Sequence, residues 1–220
     1  YGEMKLSISS VKFIKNVALY TGGGGLKMEQ ILMCSVHDSW FIGNRATHHG
    51  AKAGAGIAVI DKYGRIAISI HGVTFLNNTA SRDEGGIGGG IHLEMISKCS
   101  VQNSSFLGNN AAKGGGIAAR GDGIILIINN ITLINNVATT GGGGGVLVEQ
   151  ISLCFVQNSL FIKNTAINGA GIAAYHGRMK LNINMVKFVN NAAIRSHWRD
   201  TNNNEHNNKG GGLQIKQISK

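Results

Sequence analysis

Apolar and polar residues alternate in short runs along the whole chain, as at Ile66, Ile68, Ile70 and Val73 ahead of Phe75. A period of two sends successive side chains to opposite faces of an extended backbone, so each run reads as a half-buried β-strand. The runs are organised around a recurring anchor, Phe-x-x-Asn-x-Ala. It occurs as Phe13/Asn16/Ala18, Phe41/Asn44/Ala46, Phe75/Asn78/Ala80, Phe106/Asn109/Ala111, Leu133/Asn136/Ala138, Phe161/Asn164/Ala166 and Phe188/Asn191/Ala193, with Leu133 the one departure. Successive anchors lie 28, 34, 31, 27, 28 and 27 residues apart, and glycine clusters follow them, ending at Gly25, Gly56, Gly90, Gly116, Gly145, Gly171 and Gly212.

A repeat of at least 27 residues holds three short strands and three turns. It is too short for a strand-helix-strand unit of about 30 or more residues and longer than the roughly 18-residue coil of three hexapeptides in left-handed β-helices. The expected fold is therefore all-β: a right-handed parallel β-helix of about seven coils, 27–34 residues each. In such a stack equivalent residues recur about every 4.8 Å, so columns share a chemical type. The Phe column (Phe13, Phe41, Phe75, Phe106, Phe161, Phe188) predicts an aromatic stack. The Asn column (Asn16, Asn44, Asn78, Asn109, Asn136, Asn164, Asn191) predicts an amide ladder in which Asn also suits left-handed turn backbone. Seven residues before the anchor the column reads Leu6, Cys34, Ile68, Cys99, Leu126, Cys154, Leu181, and two before it Val11, Ser39, Val73, Ser104, Ile131, Ser159, Val186. Both alternate, which defines a two-coil super-repeat.

Composition agrees with repetition. The chain has 33 glycines, 23 asparagines and no proline, yet 43% of residues are hydrophobic and only 15% charged, which is too apolar for a disordered segment. The paired Phe-x-x-Asn and Gly-Gly-Ala-Ile-type motifs, the latter as Gly54-Ala55-Gly56-Ile57, Gly88-Gly89-Gly90-Ile91, Gly114-Gly115-Gly116-Ile117 and Gly169-Ala170-Gly171-Ile172, resemble those of the polymorphic outer membrane proteins, autotransporter-like surface adhesins. The resemblance spans essentially the whole chain. It implies a β-helical passenger-type domain over residues 1–220, an extracellular or cell-surface location and a structural or adhesive role.

The net charge of +10 favours acidic glycans or other polyanions as partners, but the basic residues are scattered rather than clustered. The longest apolar runs, such as Ile124 to Ile128, fall far short of the about 20 residues of a membrane span. Cys34, Cys99 and Cys154 occupy alternate coils of one inward column, about 9.6 Å apart, too far for a disulfide or a shared zinc. They read as buried thiols in place of Leu or Ile.

β-Helices that cleave polysaccharides carry carboxylates on one face. Here the candidates are Glu94 and Glu149, which flank Arg120 in one column; the arrangement reads as a surface ion-pair ladder. No catalytic residue, metal site or cofactor is expected. A polysaccharide-binding or polysaccharide-cleaving protein stands as the alternative function. His48, His49 and the Asn-rich polar insertion 194–209 fall between anchor and glycine cluster, where lengths vary from 5 to 19 residues, so one edge is expected to carry variable binding loops. Asn77, Asn103 and Asn130 head Asn-x-Ser/Thr sequons. The first residues match the start of a later coil and the last residues begin another, so the sequence reads as part of a longer solenoid or as a fibre subunit stacking head to tail on itself.

Overall fold

The computed structural model describes residues 4–20, 22–47, 54–81, 85–175, 179–194 and 210–216. Those residues form strands and turns, with no helix among them, and no helix long and apolar enough to cross a membrane. The first coil consists of Lys5–Ser9, Lys12–Ile14, Val17–Ala18 and Leu26–Met28, and the last of Lys180–Asn184, Lys187–Val189, Ala192–Ala193 and Leu213–Lys216. Equivalent strands pair in parallel, coil upon coil, into four sheets of seven strands each, joined by about six turns of the solenoid. We number the sheets one to four in the order the chain meets them.

The expected three strands per coil become four because the anchor segment breaks. Phe is the middle of a three-residue strand and Ala ends a two-residue strand, with Asn at the corner between them. The residue before that Asn, not Asn itself, carries the left-handed backbone: Lys15, Gly43, Asn77, Gly108, Asn135, Lys163 and Asn190 all have φ between 51° and 63°. This shifts by one residue the turn position expected from the sequence. A second left-handed column, Ser10, Asp38, Gly72, Asn103, Asn130, Asn158 and Met185, turns the chain from sheet one into sheet two.

Inside, alternate residues of sheets one, two and four meet in one continuous core. It runs from Met28 and Cys34 to Ile172 and Ala174, and it is built of Ile, Val, Leu, Phe and Cys. Neighbouring residues in a column have the same register partner in every coil, as in Leu6↔Cys34↔Ile68↔Cys99↔Leu126↔Cys154↔Leu181. Phe13, Phe41, Phe75 and Phe106 stack with ring centroids 4.6, 5.1 and 4.6 Å apart. Leu133 interrupts the stack, which resumes at Phe161 and Phe188, 5.0 Å apart.

The last glycine of each cluster is there for space rather than for backbone freedom. A Cβ on Gly90 would stand 2.6 Å from the Gly116 carbonyl oxygen and 2.8 Å from the Phe106 ring. The aromatic column and the glycine column therefore require one another. The middle position of the motif does accept a methyl group: Ala55 packs with Ala46, Ala80 and Ala111, and Ala170 with Ala138 and Ala166.

Candidate functional site

Three sets of residues that the sequence singles out are brought into columns, and a fourth is brought together only by the fold. The Asn column lies at the corner between sheets two and three, with Asn44, Asn78, Asn109, Asn136 and Asn164 fully buried. Each amide uses its full capacity. The Asn109 Nδ2 group donates to Asn136 Oδ1 at 3.0 Å and to the Phe75 carbonyl at 2.9 Å. Its Oδ1 accepts from both the backbone N–H and the Nδ2 of Asn78, at 3.0 and 2.9 Å. The same four contacts recur at Asn44, Asn78, Asn136 and Asn164. At the ends, Asn16 donates to Asn44, and Asn191 accepts from Asn164 and donates to Phe161. An amide with two donors and two acceptor lone pairs can make no more bonds than these. The column is a hydrogen-bonded spine and presents nothing to a ligand.

The thiols of Cys34, Cys99 and Cys154 are free and buried. Burial in the apolar core pushes Cys34 up to about 11 and Cys154 up to about 12, and raises Cys99 further. Protonated thiols of this kind are poor nucleophiles and poor metal ligands.

Glu94, Arg120 and Glu149 are consecutive register partners near the end of sheet four. Arg120 Nε lies 3.9 Å from Glu149 Oε2, while Glu94 Oε2 lies 3.7 Å from Nε2 of the fully buried His92. His92 and Glu94 are two apart on one strand and so share its outward face. Tyr175, the next register partner, donates to Gln214 Oε1 at 2.9 Å. Burial, with the Glu149 charge as a smaller contribution, pushes its phenol up to about 12.

The outward face of sheet four is nevertheless covered. Ile87, from the segment between anchor and glycine cluster, packs on Ala118, Leu147, Ala173 and Tyr175 as a second small core. Bridges Ile87↔Lys113 and Gly142↔Asn168 stack successive segments on one another. The described parts of the variable edge thus fold back over a sheet instead of projecting as free binding loops. Sequence reasoning took them for loops because their lengths differ. The signal it could have used is the outward column Ala58, His92, Ala118, Leu147, Ala173, apolar at four of these five positions, which a solvent-facing column would not need. His48, His49 and residues 195–209 lie outside the described residues. Among the described residues no group of three or more His, Cys, Asp or Glu side chains could hold a metal ion.

The sequon residues Asn77, Asn103 and Asn130 are all exposed turn residues with left-handed backbone, at φ of 53°, 48° and 51°. Asn130 Nδ2 donates to Asn103 Oδ1 at 2.7 Å.

A parallel solenoid with a Phe column, an Asn spine and a Gly-x-Gly-Ile motif is what the comparison with protein families then meets. Residues 72–94 match the Chlamydia polymorphic membrane protein repeat. The matched stretch contains Phe75 and Asn78, and then Gly88, Gly90 and Ile91, so it holds one copy of each motif. The other coils carry the same columns, and the chain is a β-helix repeat array resembling the polymorphic outer membrane proteins. No curated protein and no solved structure matches the chain.

Proposed function

We propose that this chain is a surface-displayed β-solenoid rod with a structural and adhesive role, outside the cell or at its surface. The observation that carries the reading is the repeat match at residues 72–94, set on a scaffold whose buried Asn column is hydrogen-bonded by repetition. Arg120 beside Glu149 joins adjacent strands of sheet four, and His92 beside Glu94 pairs two side chains along one of its strands. The inward side chains Leu6, Ile8 and Phe13 of the first coil and Leu181, Ile183 and Phe188 of the last remain only half-buried. Further coils of the same kind, or a second copy stacked head to tail, would complete their burial. Asn77, Asn103 and Asn130 are placed where a glycan could be attached without disturbing the ladder.

Two measurements test this. Antibodies raised against the chain should label intact, unpermeabilised source cells, and beads coated with the chain should adhere to animal-cell monolayers above albumin-coated beads. Labelling only after permeabilisation, together with no adhesion, would overturn the reading.

A further inference from the structure

The outer face of sheet one departs from the repeat in a way the fold does not require. Its middle outward column reads Ser7, Ser35, Ser69 and Ser100 through four successive coils, then Ile127 and Phe155. Over those four coils the small side chains leave a groove of about 490 Å³, a size common to ligand sites. Lys5 stands at one end and Lys98 at the other, and no carboxylate lines it among the described residues. The two lysines occupy the same column with Met33 and Ala67 between them, so three rung spacings, about 14 Å, separate their backbones. Ile127, the register partner of Ser100, ends the run with a bulky side chain.

We propose that this groove binds an extended anionic glycan, with acidic groups met by Lys5 and Lys98 and ring hydroxyls met by the serine column. The proposal rests on the adhesive reading above and names its ligand class. Each serine hydroxyl both donates and accepts, as a sugar hydroxyl does, and the column is already engaged in that way: Ser35 donates to Ser7 at 3.1 Å and Ser100 accepts from Gln102 at 3.0 Å. Met33 and Ala67 supply an apolar strip of the kind on which the C–H face of a pyranose rests. The regular rung spacing suits a ligand that is itself a repeat. A single small anion could neutralise only one lysine, whereas a chain with acidic groups along its length reaches both. Half-buried His37, 3.3 Å from the Asp38 carboxylate, and exposed His71, register partners two residues further along the strands, extend the polar margin.

The test uses the full 220-residue chain and calorimetric titration with two probes, a sulfated heparin oligosaccharide and a carboxylate-only oligogalacturonate. At least one should bind, and which one does identifies the acidic group. The double variant Lys5→Gln/Lys98→Gln should weaken binding by about tenfold or more. The control Lys163→Gln/Lys187→Gln removes the same charge from exposed positions on another face and should change affinity by less than about twofold. Ser69→Tyr fills the groove at constant charge and should abolish binding, with far-UV circular dichroism confirming an unchanged fold. Binding of neither probe overturns the proposal, as does equal weakening by both lysine pairs, full binding by Ser69→Tyr, or a single-stranded oligonucleotide of matched charge binding as tightly. Bead adhesion that persists in the Lys5→Gln/Lys98→Gln chain would overturn the groove as ligand site and leave the adhesive role standing.

Discussion

The Ser104 hydroxyl accepts the backbone N–H of Val73, one coil earlier, at 3.1 Å and donates to the Gln102 carbonyl at 2.7 Å. The same clasp joins Ser39 to Val11 and Ser159 to Ile131. It gives the two-coil super-repeat a physical cause, since a serine in one coil serves an N–H of the preceding coil and the Val or Ile found in alternate coils has no hydroxyl to offer. Replacing Ser104 by Ala should leave the buried Val73 N–H without its partner and destabilise the chain by about 1–3 kcal/mol. Urea unfolding followed by circular dichroism reads this directly, and a loss within about 0.5 kcal/mol, as at an ordinary surface site, would show that the clasp contributes nothing.

Asn109 sits in the middle of the amide spine, where removing one side chain strands several partners at once. Its loss takes the side-chain partner from the Asn78 N–H and Nδ2 and from the Phe75 carbonyl, and leaves Asn136 Oδ1 with only the Asn109 backbone N–H, all inside a fully buried corner. Asn109→Ala should therefore cost more than the Ser104 change, on the order of 3 kcal/mol or more given about 1–3 kcal/mol for each buried group left unsatisfied. Asn16→Ala, at the exposed end of the same column, should cost clearly less. Equal losses at the two positions would mean that the spine does not act through burial.

The contrast between these columns and the rest of the molecule explains what could be read from residues alone. Register in a solenoid repeats by construction, so the Phe, Asn, Cys and Ser columns are visible as soon as the anchors are aligned. The left-handed residue lies one place before each Asn, at Lys15 or Lys163 as readily as at Gly43, and that mixture hides it. The cover over sheet four was hidden for another reason: Ile87 belongs to a connecting segment whose length varies from coil to coil, and only the folded chain shows that it meets Leu147 and Tyr175 of the sheet. Ser7, Ser35, Ser69 and Ser100 look like routine solvent-facing positions. Their significance depends on Lys5, Lys98 and Ile127, which lie in other columns or other coils.

The thiols make stability depend on pH in a predictable direction. Cys154 is pushed up to about 12 from an ordinary 9.0 by burial, and Cys34 to about 11. The unfolded chain loses its thiol protons first, so between pH 9.0 and about 12 ionisation favours unfolding. The thiol contribution is intact below pH 9.0 and lost progressively above it. Cys154→Val should flatten the fall of unfolding free energy over that window by up to about 1.4 kcal/mol per pH unit. The native protein should also leave all three thiols unlabelled by a maleimide at neutral pH until denaturant is added. Rapid labelling without denaturant, or an unchanged slope in the variant, would contradict the buried assignment.

Leu133 is fully buried between the register partners Phe106 and Phe161, and it breaks an aromatic column that every other coil continues. Its own coil offers the reason. Two residues earlier this coil has Ile131, where the flanking coils have the smaller Ser104 and Ser159, and where Phe75 is accompanied by Val73. Leu at 133 thus balances an extra methylene at 131. Leu133→Phe alone should overpack the coil and destabilise it by about 1–3 kcal/mol. Adding Ile131→Val returns the coil to the combination found at Val73 and Phe75, and should recover that loss while joining the two stacks, a gain of about 0.5–1.5 kcal/mol for each restored aromatic contact. The double variant should then be more stable than the single one by more than Ile131→Val changes the parent chain, a positive coupling measurable in a double-mutant cycle. Additivity of the two changes, or a double variant no more stable than Leu133→Phe, would show that volume at position 131 is not what keeps leucine in the aromatic column.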